Sequence, residues 1–558
     1  MVLINASVLD EIQNLFIEKN TEDNSIVVVS YCDTNERAIV KEFYLGNLKR
    51  NWIKVEQFIR KLPSRYTNIR LDLVTNENKV SYDELQNILK DVPRNNYEEF
   101  GFRTSGNKKR LFIKEEIVAN ALFVPDDNHR VGVNNPNLDL DEHNILGYTK
   151  RKYGKRDDSI SYFKKEDIYI FNTYAVYYDG NNFYELEDYG NGNQVREINE
   201  ENFPNELYDV ILKGTKYLDN QLLENGKFVY GYFPAYGRTL SAYNTVRHFS
   251  SLYALAESVE HFPNEKVLKD VKLGLDWGLE NLVDTKEDGS IFVKEQLKDG
   301  VEYKLGAQAM IILALAKYSQ ISNDNFYFEK MKQFIKSIEK HFIGTDNKTI
   351  HVLKENLSIK EKFRIVYYDG EALFATLRAY ELMKDEEIFE FCKKLMDSFV
   401  ENHYEKYHDH WLSYAVNEFL KFEQDVEYYK FGVRNAMDNL EFIQKRDSAY
   451  PTMLELLCAA NKMMDKLESF DKRDEVFATE DEYLRAKKKI RDVTDYRAFH
   501  EITSGVMLPE FAMFFKYPSV IENGFYCRHD RFRMRIDDAE HFLSGLINYL
   551  LIFKKGMI

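Results

Sequence analysis

From residue 205 onward the chain is a succession of helical stretches of two alternating kinds, and this alternation limits the fold more than any other feature. One kind is apolar almost all round and rich in Ala, Leu and Gly, as in GAQAMIILALA from Gly306. The next is amphipathic and carries Lys and Glu on one face, as in FYFEKMKQFIKSIEKHF from Phe326. A helix apolar on every side must be buried, whereas one with a charged face can lie outside it. About twelve such stretches, hence about six hairpins, predict an inner ring of helices backed by an outer ring, an (α/α)6 toroid. Ala254, Gly306, Ala309, Ala372 and Ala375 are small enough to let inner helices approach closely. An open spiral of helix pairs would bury the same faces. Against it, the repeats are uneven, about 40 to 90 residues apart, and the linkers carry strand-like pieces such as SIFVKEQL from Ser290.

The first 125 residues mix both periods and predict a small α/β domain. SIVVVSY (Ser25 to Tyr31) and NIRLDLVT (Asn68 to Thr75) read as strands, KVEQFIRKL (Lys54 to Leu62) as a helix. Ser81 with Glu84 three residues on has the form of a capping box. Residues 126–204 read as a linker and β-hairpin segment, with a long polar loop from Asp126 to Asp158 and a turn at Asp179-Gly180-Asn181-Asn182 between two aromatic strands. NLDLDEHN (Asn137 to Asn144) is acidic but lacks the glycine and glutamate offsets of a calcium loop, so it reads as solvated loop. The expected class is therefore multidomain α+β: residues 1–125, 126–204, and a toroid over 205–558.

Hydrophobic residues make up 44% of the chain and aromatic residues 14%, ample for large cores. The formal net charge of -16 argues against gripping a nucleic-acid backbone, which needs a positive face. No apolar run reaches the roughly 18 residues of a membrane span, and the N-terminus lacks the form of a secretory signal, so a cytoplasmic protein is expected. The four cysteines, Cys32, Cys392, Cys458 and Cys527, show no metal-site spacing. The CRHD string at Cys527 places its donors too close together to chelate one ion, so neither metal nor cofactor is expected. Motifs for nucleotide loops, zinc proteases and serine hydrolases are absent.

Polar clusters fall where inner helices begin. Tyr243, Asn244, Arg247 and His248 open one; Tyr368, Asp369 and Glu371 another; Asp409, His410 and Trp411 a third. Glu455 lies one turn into a fourth, and Asp537, Asp538 and His541 start the last. Helix N-termini present free N–H groups and the positive end of the macrodipole, which suits anionic groups. Asp at such places also serves as a plain N-cap.

The segments YNTVRHFSSLYALAE (Tyr243 to Glu257), KLGAQAMIILALAKY (Lys304 to Tyr318), YYDGEALFATLRAYEL (Tyr367 to Leu382) and DHWLSYAVNEF (Asp409 to Phe419) resemble the six-hairpin toroid superfamily. That superfamily includes glycoside hydrolases, unsaturated uronyl hydrolases, N-acylglucosamine 2-epimerases and, by shape, lanthionine cyclases. The resemblance covers about the last 350 residues. It implies a sugar or glycan substrate, neutral or anionic, in the toroid mouth. Hydrolysis needs two carboxyls flanking one bond, with Asp369 or Glu371 opposite Asp538 or Glu455 as candidates. Epimerisation needs a base near neutrality beside a carbonyl, with His248, His410 and His541 as candidates. Tyr243, Asn244, Arg247, Tyr368, Asp409, Trp411, Glu455, Asp537 and His541 would hold the substrate. The RHWW-type string of the 2-epimerases is absent, and a toroid that only binds or scaffolds is a third reading. The oligomeric state is not legible.

Overall fold

The computed structural model describes residues 4–555 apart from 107, 126–136, 156, 191 and 192. The chain divides into two compact units. Unit 1 comprises Met1–Pro204, Tyr232–Thr239 and Thr503–Met534; unit 2 comprises Asn205–Gly231, Leu240–Ile502 and Arg535–Ile558.

Unit 1 is built on an antiparallel eight-stranded sheet. Ser25–Cys32 lies between Ile39–Gly46 and Asn68–Val80, and the last of these pairs with Asp167–Tyr178. The hairpin at Asp179 forms with Tyr178 opposite Phe183, and Ser81 and Glu84 make the expected capping box. Helix Ala6–Lys19 buries Leu9, Ile12 and Phe16 in a core that includes Val27, Val29, Leu71 and Leu73.

Three stretches depart from the sequence reading. The part of the supposed polar loop that falls on 126–136 lies outside the described residues, but Leu138–Leu140 is a strand and Glu142–Tyr153 a helix. Asp141 caps that helix by accepting from the Asn144 backbone N–H at 2.8 Å, and Ile145, Leu146 and Tyr148 are buried. The apolar positions were diluted by surface charge and so escaped the periodicity. The strand Asp167–Tyr178 belongs to the unit 1 sheet, so residues 126–204 are part of that unit's body. Residues 503–534, given above to the toroid, fall in unit 1, where Glu510 is ion-paired with Arg196 at 2.8 Å and Phe511, Phe515, Tyr526 and Phe532 stack together. This segment has no helical period to place it in a ring.

Unit 2 carries twelve long helices, labelled here in chain order. They are α1 (Phe203–Asp219), α2 (Thr245–His261), α3 (Glu265–Asn281), α4 (Leu305–Ser322), α5 (Phe328–His341) and α6 (Tyr367–Met383). Then come α7 (Glu386–Glu401), α8 (His410–Phe419), α9 (Val426–Met437), α10 (Thr452–Leu467), α11 (Glu480–Gly505) and α12 (Ile536–Lys555). The even-numbered helices pack in sequence, α2 on α4, α4 on α6, α6 on α8, α8 on α10 and α10 on α12, and α12 returns to α2. The ring is closed, and an open spiral is excluded. Every residue of α4 from Leu305 to Ser319 is buried, as an all-round apolar helix requires, whereas α5 buries only Met331, Phe334, Ile335, Ser337 and Ile338. A five-stranded antiparallel sheet, running from Val283–Thr285 through Ile291–Leu297 to Ile359–Glu361, fills the linkers on either side of α4 and α5. No described helix is long and apolar enough to cross a membrane.

Candidate active site

The inner helices begin at one rim, and side chains at their first turns link them around it. Glu295 accepts from the Thr245 backbone N–H at 2.9 Å and lies 3.6 Å from Lys304, joining the starts of α2 and α4. Gly306 of α4 sits flush against Tyr368 and Glu371 of α6; a β-carbon there would come within 2.5 Å of the Tyr368 ring. Gly370 of α6 abuts the backbone of Trp411 and Leu412 in α8. His410 Nε2 of α8 lies 3.8 Å from Glu455 Oε2 of α10. Glu455 in turn accepts from His541 Nδ1 of α12 at 2.9 Å, and Asp537 of α12 pairs with Arg247 of α2 at 2.7 Å.

The centre of this rim is His410, Glu455 and His541. His410 is 2% exposed; its Nδ1 lies 3.2 Å from Asp409 Oδ1, and its Nε2 has no hydrogen-bond partner among the described residues. Burial lowers its pKa. The two imidazole rings meet edge to face, centroids 5.1 Å apart. Burial, and then the charge of Glu257, hold the Glu455 carboxyl well above the ordinary carboxylate range. Both shifts favour uncharged forms in a site of low polarity. His541 is the more open of the pair, with a fifth of its side chain exposed. Glu540, fully buried, reaches His541 Nδ1 at 3.4 Å and has no hydrogen-bond partner among the described residues. These three donors, His410, Glu455 and His541, each place one atom within 4.8 Å of the others, the geometry of a candidate metal centre.

Other residues singled out from the sequence are occupied in place. Asp369 accepts from Thr349 Oγ1 and lies 3.1 Å from His351 Nε2. Asp409 caps α8 by accepting from the Leu412 N–H at 2.8 Å, and Asn244 caps α2 by accepting from the Arg247 N–H at 3.2 Å. Asp538 accepts from the Arg535 backbone at 2.9 Å and from its guanidinium at 3.2 Å. Arg247 also donates to the Tyr230 hydroxyl. Trp411 is 2% exposed, packed between Phe374 and His541. Glu371 is buried with Oε2 unpartnered among the described residues, and burial together with the charges of Asp409 and Asp369 pushes its carboxyl well above the ordinary range.

His248 does not join them. It is fully buried toward α3, where Nε2–H donates to the Gly274 carbonyl at 3.1 Å and Nδ1 accepts from the Tyr243 hydroxyl at 2.8 Å. With both nitrogens engaged and Trp277 and Phe249 against its ring, it is a core residue, and Tyr243 is its partner. One helical position earlier, Arg247 points to the rim, so the adjacent pair divides between ring wall and mouth. The sequence reading passed over Glu540, Arg535 and Glu295. Glu540 and Arg535 flank Asp537 and Asp538 in RIDDAEH, where the density of ionisable residues at an inner-helix start was the available signal.

No family model and no curated protein matches the chain. Solved structures do. A cellobiose 2-epimerase from Bacillus thermoamylovorans is 13% identical, covering 63% of this chain and all of its own, with a TM-score of 0.47. A D-mannose isomerase is 9% identical over 64% of this chain and all of its own, TM-score 0.46. An α-1,6-mannanase from Salegentibacter sp. is 12% identical over 62% of this chain and 99% of its own, TM-score 0.41. The closed ring itself stands on this chain's own helix contacts.

Proposed function

We propose that unit 2 is a carbohydrate-active enzyme of the epimerase or isomerase kind, in which His410 and His541 move a proton at the carbon beside a sugar carbonyl. The observation that carries the reading is the facing pair of imidazoles, 5.1 Å apart, bridged by Glu455 at the mouth of the ring. One imidazole takes the proton from carbon as electrons move into an enediolate, and the other returns a proton to the opposite face or to the neighbouring carbon. Placing the reacting carbon between two fixed bases supplies much of the required orientation.

Sugar as substrate is supported by the mouth's amphipathic rings. Tyr367 meets His410 edge to face at 5.1 Å, and its hydroxyl lies 3.2 Å from that of Tyr450, which is 43% exposed. Such rings offer flat apolar faces with polar tips. A neutral sugar suits the site better than a uronate or phosphate, because Arg247 is neutralised by Asp537, and Arg535 by Asp537 and Asp538. Glycoside hydrolysis has less support, since Asp369 and Asp538 are both held by neighbours.

Incubation with neutral aldoses and reducing disaccharides in D2O separates the readings. Proton transfer at carbon puts solvent deuterium at C2 of an epimer or C1 of a ketose, read by NMR; a hydrolase releases new reducing ends without deuterium at carbon. A protein that only binds does neither, and that outcome would reject the enzyme reading.

A further inference from the structure

We infer that His410, Glu455 and His541 form a binding site for one divalent ion of the zinc type. Their ligand atoms lie within 4.8 Å of one another, and the separations of Glu455 from His541 and His410, 2.9 Å and 3.8 Å, bracket the roughly 3.3 Å between neighbouring ligands of a tetrahedral ion with bonds of about 2.0–2.1 Å. Glu455 thus stands within about half an ångström of chelate spacing from each imidazole.

Three further observations point to a ligand. His410 Nε2 is buried and has no partner among the described residues, an unusual state for an imidazole nitrogen inside a protein. Its other nitrogen faces the Asp409 carboxylate at 3.2 Å, the arrangement that fixes a metal-binding imidazole with its free lone pair toward the ion. The partial exposure of His541 leaves an entry path and an open position for water or substrate. Asp409 at 3.2 Å from His410 and Glu540 at 3.4 Å from His541 place further carboxyl oxygens beside the triad. Two imidazoles with one carboxylate select zinc, copper, nickel or iron over magnesium or calcium.

Binding displaces the proton shared by His541 and Glu455 to solvent, so uptake is accompanied by proton release. The chelate does not depend on the reaction proposed above. Its consequence, that zinc occupies the imidazoles and blocks turnover, does rest on that reading.

The test is titration of the chelator-stripped full-length protein with zinc in competition with a chromophoric chelator. One tight ion per chain is expected, with affinity lowered more than about 100-fold in Glu455→Gln and His541→Gln, and about 10-fold in Asp409→Asn. Circular dichroism and melting of each apo variant separate lost ligation from lost folding, and His541, being part-exposed, is the variant best able to keep the fold. Cys527→Ser controls for the Cys527–His529 pair, 3.6 Å apart, and should leave binding unchanged. Absence of stoichiometric zinc, binding indifferent to His541→Gln and Glu455→Gln, loss in Cys527→Ser, or equal uptake of magnesium would each overturn the site. Zinc held by the triad with turnover undiminished would uphold the chelate and reject the acid–base reading.

Discussion

His541 donates to Glu455 across the seam between the last two inner helices, at 2.9 Å and over 86 residues of sequence. The bond fixes the exposed imidazole and couples it to a fully buried carboxyl. Replacing Glu455 with Gln keeps the volume and one acceptor but removes the exchangeable acid. Turnover in the deuterium-exchange assay is expected to fall by about 10²- to 10⁴-fold, the usual worth of a general acid or base, with KM little changed. Unaltered exchange in Glu455→Gln would take this carboxyl out of the mechanism.

His248 predicts a pH dependence of stability unrelated to the mouth. Burial, only partly offset by the hydrogen bond to Gly274, lowers its pKa from 6.5 to about 4. Between those values the unfolded chain binds a proton that the folded chain refuses, so stability is full above about pH 6.5 and declines as pH falls toward 4. The loss from this group is about 3 kcal/mol. Urea midpoints at pH 7.5 and 4.5 should show that difference shrinking in His248→Gln, while the wild type keeps it.

Two glycines at helix–helix contacts should respond in opposite ways. A β-carbon on Gly370 would lie 2.6 Å from the Trp411 carbonyl carbon and closer still to the Leu412 nitrogen, both backbone atoms that cannot swing away. Gly370→Ala therefore forces α6 from α8 and should cost about 1–3 kcal/mol or more. At Gly545 in α12 the nearest atoms stand at 3.4 Å and 3.5 Å, an ordinary contact, so Gly545→Ala should be neutral or gain up to about 1 kcal/mol in helix propensity. Thermal melting of the two variants checks the contrast.

Arg247 and Asp537 close the ring between its first and last inner helices at 2.7 Å. Because the guanidinium is 31% exposed, the pair should contribute only about 1 kcal/mol to stability in a double-mutant cycle with Arg247→Met and Asp537→Asn. The effect on substrate should be larger and fall on KM, since Asp537→Asn strips Arg247 of its carboxylate while Arg535 keeps Asp538. A cycle showing no coupling would remove the pair from ring closure.

The ring was legible because burial on all sides leaves an unmistakable mark: no position of GAQAMIILALA tolerates charge, and α4 is buried along that whole stretch. The grouping of polar and ionisable residues at inner-helix starts was legible for the same reason, since the apolar stretches between leave those starts as the densest polar positions. Which face each one takes was not. Arg247 and His248 are neighbours in sequence, yet one reaches Asp537 and the other Gly274 of an outer helix, and only the rotation of α2 decides between them. Glu540 was overlooked because a glutamate beside three other ionisable residues reads as surface, whereas it is fully buried. The helix at Glu142–Tyr153 was hidden by the basic run Lys150-Arg151-Lys152 in its last turn, of which Lys152 turns inward to Glu116.

The helix that completes the circle comes late. Asn548 of α12 hydrogen-bonds Glu257 of α2 across 291 residues of chain. During synthesis the apolar flanks of α2 and α10 must stay exposed until α12 emerges, because a five-membered arc has two unprotected edges and nothing to cover them. Contacts of such long range also form slowly. The histidine of α12 is thus the last member of the proposed His410–Glu455–His541 cluster to emerge, and a nascent chain cut short before Ile536 has neither the closed circle nor the complete cluster.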